Sequence, residues 1–180
     1  MTLQVGLVAS NGFVIASDRK ASRDFKAIPQ GRVRGASSQV RKILVTPNKK
    51  LVCAFSGDDL SKNVADALVA WCPAAFASDA DVENYFKATS QPFIFKNSQP
   101  ENQQIIVGVA APNVSPLWRL FYYSGSAITQ PIKDKIIGGD ETNPANYILE
   151  RFYRAGSSVD ELTMLAVHFV LEGKDFSAQM

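Results

Sequence analysis

The sequence predicts an α+β layered domain, and three observations carry that expectation. Strand-like and helix-like segments fall in blocks, strands then two helices, then strands and two helices again, rather than alternating singly. The first block opens on a hairpin signal almost at the first residue. The last block is a pair of segments bounded by helix start and stop residues. With 180 residues, of which 46% are hydrophobic and 20% charged, the chain suits one domain over 1–180 that buries its own core.

Leu3 to Ala9 and Phe13 to Ser17 are apolar and rich in branched side chains, and Ser10-Asn11-Gly12 stands between them. Asn-Gly closes tight hairpins because both residues tolerate positive φ, so these segments read as paired strands. Ser22 to Gln39 is polar, with Pro29, Gly31, Gly35 and four basic residues. A stretch this long reads as a functional loop. A second hairpin follows, Lys42 to Val45 and Leu51 to Ser56, turned by Pro47-Asn48-Lys49-Lys50. Ser56-Gly57-Asp58-Asp59 then opens a helix, with acidic groups at its positive end. Leu60, Val64, Leu68 and Trp71 supply its apolar spacing, and Pro73 ends it. A shorter helix is expected over Ala80 to Ala88, then a polar connection over Pro92 to Asn102. Gln104 to Ala110 and Leu117 to Tyr123 read as strands, and Ile136-Ile137 leads into Gly138-Gly139. Asn143 and Pro144 cap and start a helix that runs to about Ala155 and stops at Gly156. Ser158-Val159-Asp160-Glu161 is a capping box, and Leu162, Leu165, Ala166 and Phe169 give the last helix one apolar face.

The formal net charge of +2 makes no general case for nucleic acid. No apolar run approaches the roughly 20 residues that span a bilayer, and the N-terminus has no signal-peptide pattern. The expectation is a soluble cytoplasmic protein without membrane or nucleic-acid partners. Cys53 and Cys72 lie in apolar stretches and read as reduced, buried thiols. His168 is the single histidine, which excludes any multi-histidine metal site, and it reads as structural. Neither a phosphate-binding glycine loop nor a Gly-x-Ser-x-Gly elbow is present, and no cofactor or metal is implied.

What remains is the N-terminus. Thr2 follows Met1 and is small enough for that methionine to be removable. Removal would place a hydroxyl and a free α-amine on one residue. An unperturbed α-amine has a pKa of about 7.7–8.0 and can serve as base near neutral pH. A threonine activated by its own amine is a recognised nucleophile. It needs a rigid terminus, a nearby cation to keep the amine neutral, and a carboxylate to orient that cation. Asp18 ends the second strand of the hairpin and Lys42 opens the next one. A backbone amide around Cys53, Ala54 or Phe55 could serve an oxyanion. Spacing alone favours the bland alternative, a solvated Asp and a surface Lys.

A resemblance changes that balance. Thr2-Leu3-Gln4-Val5-Gly6-Leu7-Val8 with Gly12 to Ser22 resembles the start of a mature proteasome β-type subunit, an N-terminal-nucleophile (Ntn) hydrolase. Arg41-Lys42-Ile43 resembles that family's Lys-Lys-apolar element, and Leu51 to Asp58 its next strand and turn. Ile137-Gly138-Gly139, the helix to Glu150, and Ser158 to Leu162 resemble its Gly-Ser-Gly turn and two-helix segment. With only Met1 ahead of Thr2, the simpler bacterial members, the HslV peptidase and the bacterial proteasome homologue, are the expected nearest branch.

The resemblance implies a four-layer αββα sandwich, assembled into six- or seven-membered rings that stack in pairs. It implies Thr2 as nucleophile and base, Asp18 as orienting carboxylate and Lys42 as the cation. Asp175 and Ser177 would support the threonine, and the backbone of Ala54 would hold the oxyanion. Lys20, Ala21, Val40, Val52, Ser56 and Leu60 would line the substrate site. Most are small or apolar, so an apolar side chain before the cut is expected. The substrate would be peptide or unfolded protein, fed by a possible separate ATPase unfoldase. Two alternatives stand beside this threonine endopeptidase: an inactive ring or scaffold protein that retains Met1, and a binding module using Lys26 to Arg34 to hold an acidic partner.

Overall fold

The computed structural model describes residues 3–22, 37–57, 59–94, 104–110, 118–124, 127–128, 131–139 and 142–178, with 20–22, 37–39, 59, 94, 127–128 and 174–178 by backbone alone. Its first sheet is built on β1 (Leu3–Ala9), which lies between β2 (Gly12–Ser17) and β10 (Lys135–Gly139), all antiparallel. All of β1 except Val8 is buried, so both of its faces are covered, and this explains its nearly unbroken apolar sequence. Side chains alternate across a strand. Leu3, Val5, Leu7 and Ala9 enter one core, against Leu149 of α3 (Asn146–Phe152) and Leu162, Ala166 and Phe169 of α4 (Val159–Ala178). Each of the valine, leucine and phenylalanine side chains among them, once fully buried, contributes about 1.5–3 kcal/mol.

The second sheet has the order β5 (Ile43–Val45), β6 (Leu51–Ser56), β7 (Gln104–Ala110), β8 (Trp118–Ser124), β9 (Ala127–Ile128) and is likewise antiparallel. Leu51, Cys53 and Phe55 face a separate core, with Val64 and Leu68 of α1 (Asp59–Ala70) and Val82 and Phe86 of α2 (Asp79–Ile94). The remaining faces of the two sheets meet. A Cβ on Gly6 would stand 2.9 Å from both Ile106 and Leu120, and one on Gly108 would enter the Phe13 ring. Glycine at these two positions lets the sheets approach. A two-stranded pairing of β3 (Lys20–Ser22) with β4 (Ser37–Gln39) closes the strand inventory of the described residues.

The block order of strands, two helices, strands and two helices matches the sequence reading, and several boundaries move. The first turn falls on Ser10-Asn11, because Ala9 pairs with Gly12. Positive φ is not used there. Gly12 is instead needed because a Cβ would lie 2.8 Å from Val159, whose amide donates to Asn11 Oδ1 at 2.9 Å. The expected loop over Ser22 to Gln39 is shorter at both ends, where β3 and β4 pair; residues 23–36, with the basic run Lys26 to Arg34, lie outside the described residues. The second helix is longer than expected and carries Pro92 within its last turn. Trp71 is 62% exposed rather than core, since α1 ends one residue before it. Asn143 holds the Ala145 amide at 2.9 Å, but the turns it starts bond from i to i+3, so α3 proper begins at Asn146. The capping box forms as read: Ser158 N–H donates to Glu161 Oε2 at 2.8 Å and Glu161 N–H to Ser158 Oγ at 3.3 Å.

Candidate active site

Asp18 stands just past β2, where its amide donates to the Leu3 carbonyl at 3.0 Å. The Leu3 amide reaches back to Asp18 Oδ1 at 3.4 Å, and Ser17 Oγ donates to Leu3 O at 3.3 Å. The hairpin thus closes around the residue to which Thr2 is covalently joined. Lys42 stands just before β5, and its carbonyl accepts the Phe55 amide at 3.1 Å. Lys42 Nζ donates to Asp18 Oδ1 at 2.7 Å, and the two side chains are only 5% and 10% exposed. An ammonium and a carboxylate this deeply withdrawn from water hold each other in place, because either alone would carry a large desolvation cost. A cleft of about 130 Å³ opens beside the pair, lined among the described residues by Ser17, Asp18, Arg19, Arg41, Lys42 and Ile43. Arg41 is anchored by donation from Nε to Ile43 O at 2.9 Å.

The cysteines offer no competing nucleophile. Burial, aided by the negative charge of Asp66, pushes the Cys53 thiol up to about 12, and burial also raises that of Cys72. A thiol held protonated is unreactive at neutral pH. Both cysteines are free; Cys53 is buried as expected, whereas Cys72 is only half-buried. His168 is not a core residue. It lies 55% exposed on α4, 3.9 Å from Glu172 one turn on.

The sequence-derived site residues divide sharply. Asp18 and Lys42 meet. Thr2 lies outside the described residues, and Asp175 and Ser177 fall in the last turns of α4, where only the backbone is described. Ala54 does not suit an oxyanion role. Phe55 donates toward β5, so the alternation of an antiparallel ladder turns the Ala54 amide inward to Ile106 of β7. Gly57, where the chain leaves β6 with a φ of 102°, is the first residue free of that ladder. Of the six residues expected at the substrate site, Val40, Val52, Ser56 and Leu60 are not among the described residues that line the cleft. Val40 packs on the core beneath α1, while Val52 and Ser56 lie on the opposite face of β6. Leu60 is buried, and Lys20 and Ala21 are described only as backbone pairs of Gln39 and Ser38.

Ser56 belongs to a polar group between the sheets that sequence reasoning missed. Gln4 Nε2 donates to Ser56 Oγ at 3.0 Å, and Ser56 Oγ donates to Gln104 Oε1 at 3.2 Å. The Gly139 amide donates to the same Gln104 oxygen. Gln4 is fully buried and Ser56 3% exposed. The available signal was Gln4 itself, the one polar residue in the apolar run Leu3 to Ala9. Arg19 and Arg41 were also missed, since only the fold brings them to one cleft.

Neither a protein-family model nor a curated protein matches the sequence. Solved structures do share the fold. Anbu (ancestral β-subunit) from Yersinia bercovieri superposes with a TM-score of 0.74 at 16% identity, over 97% of this chain and 75% of that one. An Anbu mutant from Hyphomicrobium sp. strain MC1 gives 0.71 at 13% identity, over 97% and 76%. The Anbu complex from Pseudomonas aeruginosa, solved as a helical assembly, gives 0.66 at 17% identity, over 93% and 72%. These neighbours correct the expected placement beside the HslV peptidase and the bacterial proteasome homologue. The chain has a proteasome-like fold of the Anbu kind.

Proposed function

We propose that this chain is a threonine peptidase subunit, active once Met1 is removed and working inside an assembly of its own copies. The buried Lys42–Asp18 pair carries the reading, because it is closed around Leu3, the residue bonded to Thr2. In this reading Thr2 Oγ attacks the peptide carbonyl carbon and passes its proton to its own α-amine. The tetrahedral oxyanion collapses, the amine hands the proton to the departing amine, and an ester to Thr2 remains. Water then attacks the ester while the α-amine takes its proton; the ester bond breaks, the amine returns that proton to Thr2 Oγ, and the acid product leaves and ionises in water. Lys42 faces the developing charge, Asp18 orients it, and Asp175 and Ser177 complete the support. The backbone at Gly57 takes the oxyanion role assigned from sequence to Ala54.

A helix pair on each outer face and two sheets in contact support the four-layer αββα reading and a single domain over 1–180. Self-assembly is supported by apolar side chains left in solvent on α4, with Met164 at 72%, Val167 at 48% and Leu171 at 57% exposed. They recur on one helical face. Paired rings of six or seven subunits are a closed form of assembly, and a helical stack like that of the Pseudomonas protein is an open one. Substrates are unfolded polypeptides, with a separate ATPase as the feeding partner. Among the described residues no helix is long and apolar enough to cross a membrane, and the cytoplasm is the proposed location.

The test is Thr2→Ala, with the state of Met1 read by intact mass. Wild type cleaves fluorogenic peptides and reacts once per chain with a threonine-directed covalent inhibitor, and the variant does neither. Equal cleavage by the variant refutes the mechanism. A second reading, an inactive scaffold, is favoured by Gly139, which pairs with Leu3 and brings no hydroxyl where the resemblance expects a serine. Retained Met1 with no inhibitor adduct establishes that reading instead.

A further inference from the structure

The polar group between the sheets adjoins Leu3, the residue around which the candidate site closes, and it links strands of both sheets. It runs in one direction. Gln4 of β1 donates to Ser56 of β6, and Ser56 donates to Gln104 of β7. Gly139 of β10 donates into the same Gln104 oxygen. The Gln104 carbonyl receives a second bond from Gln4 Nε2 at 3.4 Å. Residue 104 therefore touches all three of the other strands. The partners sit at functional positions. Gln4 follows Leu3, whose amide is bonded to Asp18. Gly139 pairs directly with Leu3. Ser56 is the last residue of β6 before Gly57.

Apolar contacts resist separation of two sheets and are tolerant of sliding, whereas hydrogen bonds have a set length and direction. A single acceptor shared by β6 and β10 sets the register between the sheet that carries Leu3 and the sheet that carries Lys42 and Gly57. The room for it is also built in, since a Cβ on Gly138 would collide with the Gln4 side chain.

We propose that Gln104 is a positioning residue: its side-chain oxygen locks the two sheets together at the site end, holding the start of β1 in register with the end of β6. The kinetic arm of the test rests on the peptidase reading, and a second arm does not. Gln104→Leu removes the acceptor at similar size, and Gln104→Glu keeps it. In the full-length assembled protein, kcat for a fluorogenic peptide falls between about tenfold and a hundredfold in Gln104→Leu, as expected for a slightly displaced nucleophile, with KM within about twofold. Gln104→Glu restores most of the rate. Amide hydrogen exchange, measured by NMR or mass spectrometry, quickens at least about tenfold at Gly139 and the start of β1 in Gln104→Leu, relative to the β5–β6 hairpin, and not in Gln104→Glu. Unchanged exchange in Gln104→Leu, or exchange raised equally everywhere, overturns the proposal. An inert wild type with locally quickened exchange in the variant removes the peptidase reading while upholding the lock. An active wild type whose Gln104→Leu variant keeps its kcat overturns the positioning role.

Discussion

Replacing Lys42 by Met removes the ammonium at nearly constant length and leaves Asp18 at 10% exposure with the Leu3 amide, 3.4 Å away, as its remaining donor among the described residues. Breaking one side of a buried ion pair costs about 3–5 kcal/mol. Asp18 borders the cleft and can recruit water there, so the lower figure, about 3 kcal/mol, applies. A chain of this size loses about 2–4 °C in Tm for each kcal/mol, which gives a fall of about 6–12 °C. Asp18→Leu takes the carboxylate away from the ammonium of Lys42, which is 5% exposed, and lowers Tm as well. The double variant Asp18→Leu/Lys42→Met removes both charges and recovers to within about 1 kcal/mol of wild type, since an apolar pair avoids the desolvation cost altogether. Thermal unfolding followed by circular dichroism at pH 7 reads all four proteins, at one fixed concentration because assembly makes Tm concentration-dependent. A fall below about 2 °C for Lys42→Met, or a double variant as damaged as the sum of the singles, refutes the premise that burial makes each charge depend on the other.

Three further outcomes follow from the packing. Cys53 titrates near 12 in the fold against an ordinary 9.0, so the folded chain holds its proton more tightly than the unfolded one. The stability this contributes is fully present below pH 9 and is lost as pH rises toward 12. An alkaline urea-melt series checks the slope, and native thiol titration at pH 8 leaves Cys53 unmodified. Gly6→Ala forces a methyl to within 2.9 Å of Ile106 and Leu120 and destabilises by about 1–3 kcal/mol, read in the same melts. Ser158→Ala removes the N-cap of α4 and costs about 1 kcal/mol, with faster amide exchange confined to the first turn of that helix.

The first hairpin, the second hairpin, β7 and the capping box of α4 were legible because each is coded locally, by alternation, turn residues or a cap. Boundaries failed where tertiary contact overrode the local code. Gly12 looked like a turn residue and is a packing residue against Val159. Pro92 read as the start of a polar connection, yet α2 runs through it to Ile94. β9 and β10 are strands because a neighbour offers them hydrogen bonds, and nothing within two or five residues can announce that.

The same division runs through the candidate site. By itself the sequence determined which residue types were available: a threonine beside a removable methionine, an Asp after the first hairpin, a Lys before the second, and thiols set in apolar runs. Chemistry of that kind is a property of single residues and their near neighbours. Tertiary structure alone makes Asp18 and Lys42 a buried pair around Leu3, spends the Ala54 amide inside the ladder, and brings Ser56 and Gly139 to one Gln104 side-chain oxygen while Gln4 donates to Ser56. Those facts depend on strand register and on the distance between two sheets, which are set by contacts between residues 100 and more positions apart, such as Gln4 with Gln104 and Leu3 with Gly139.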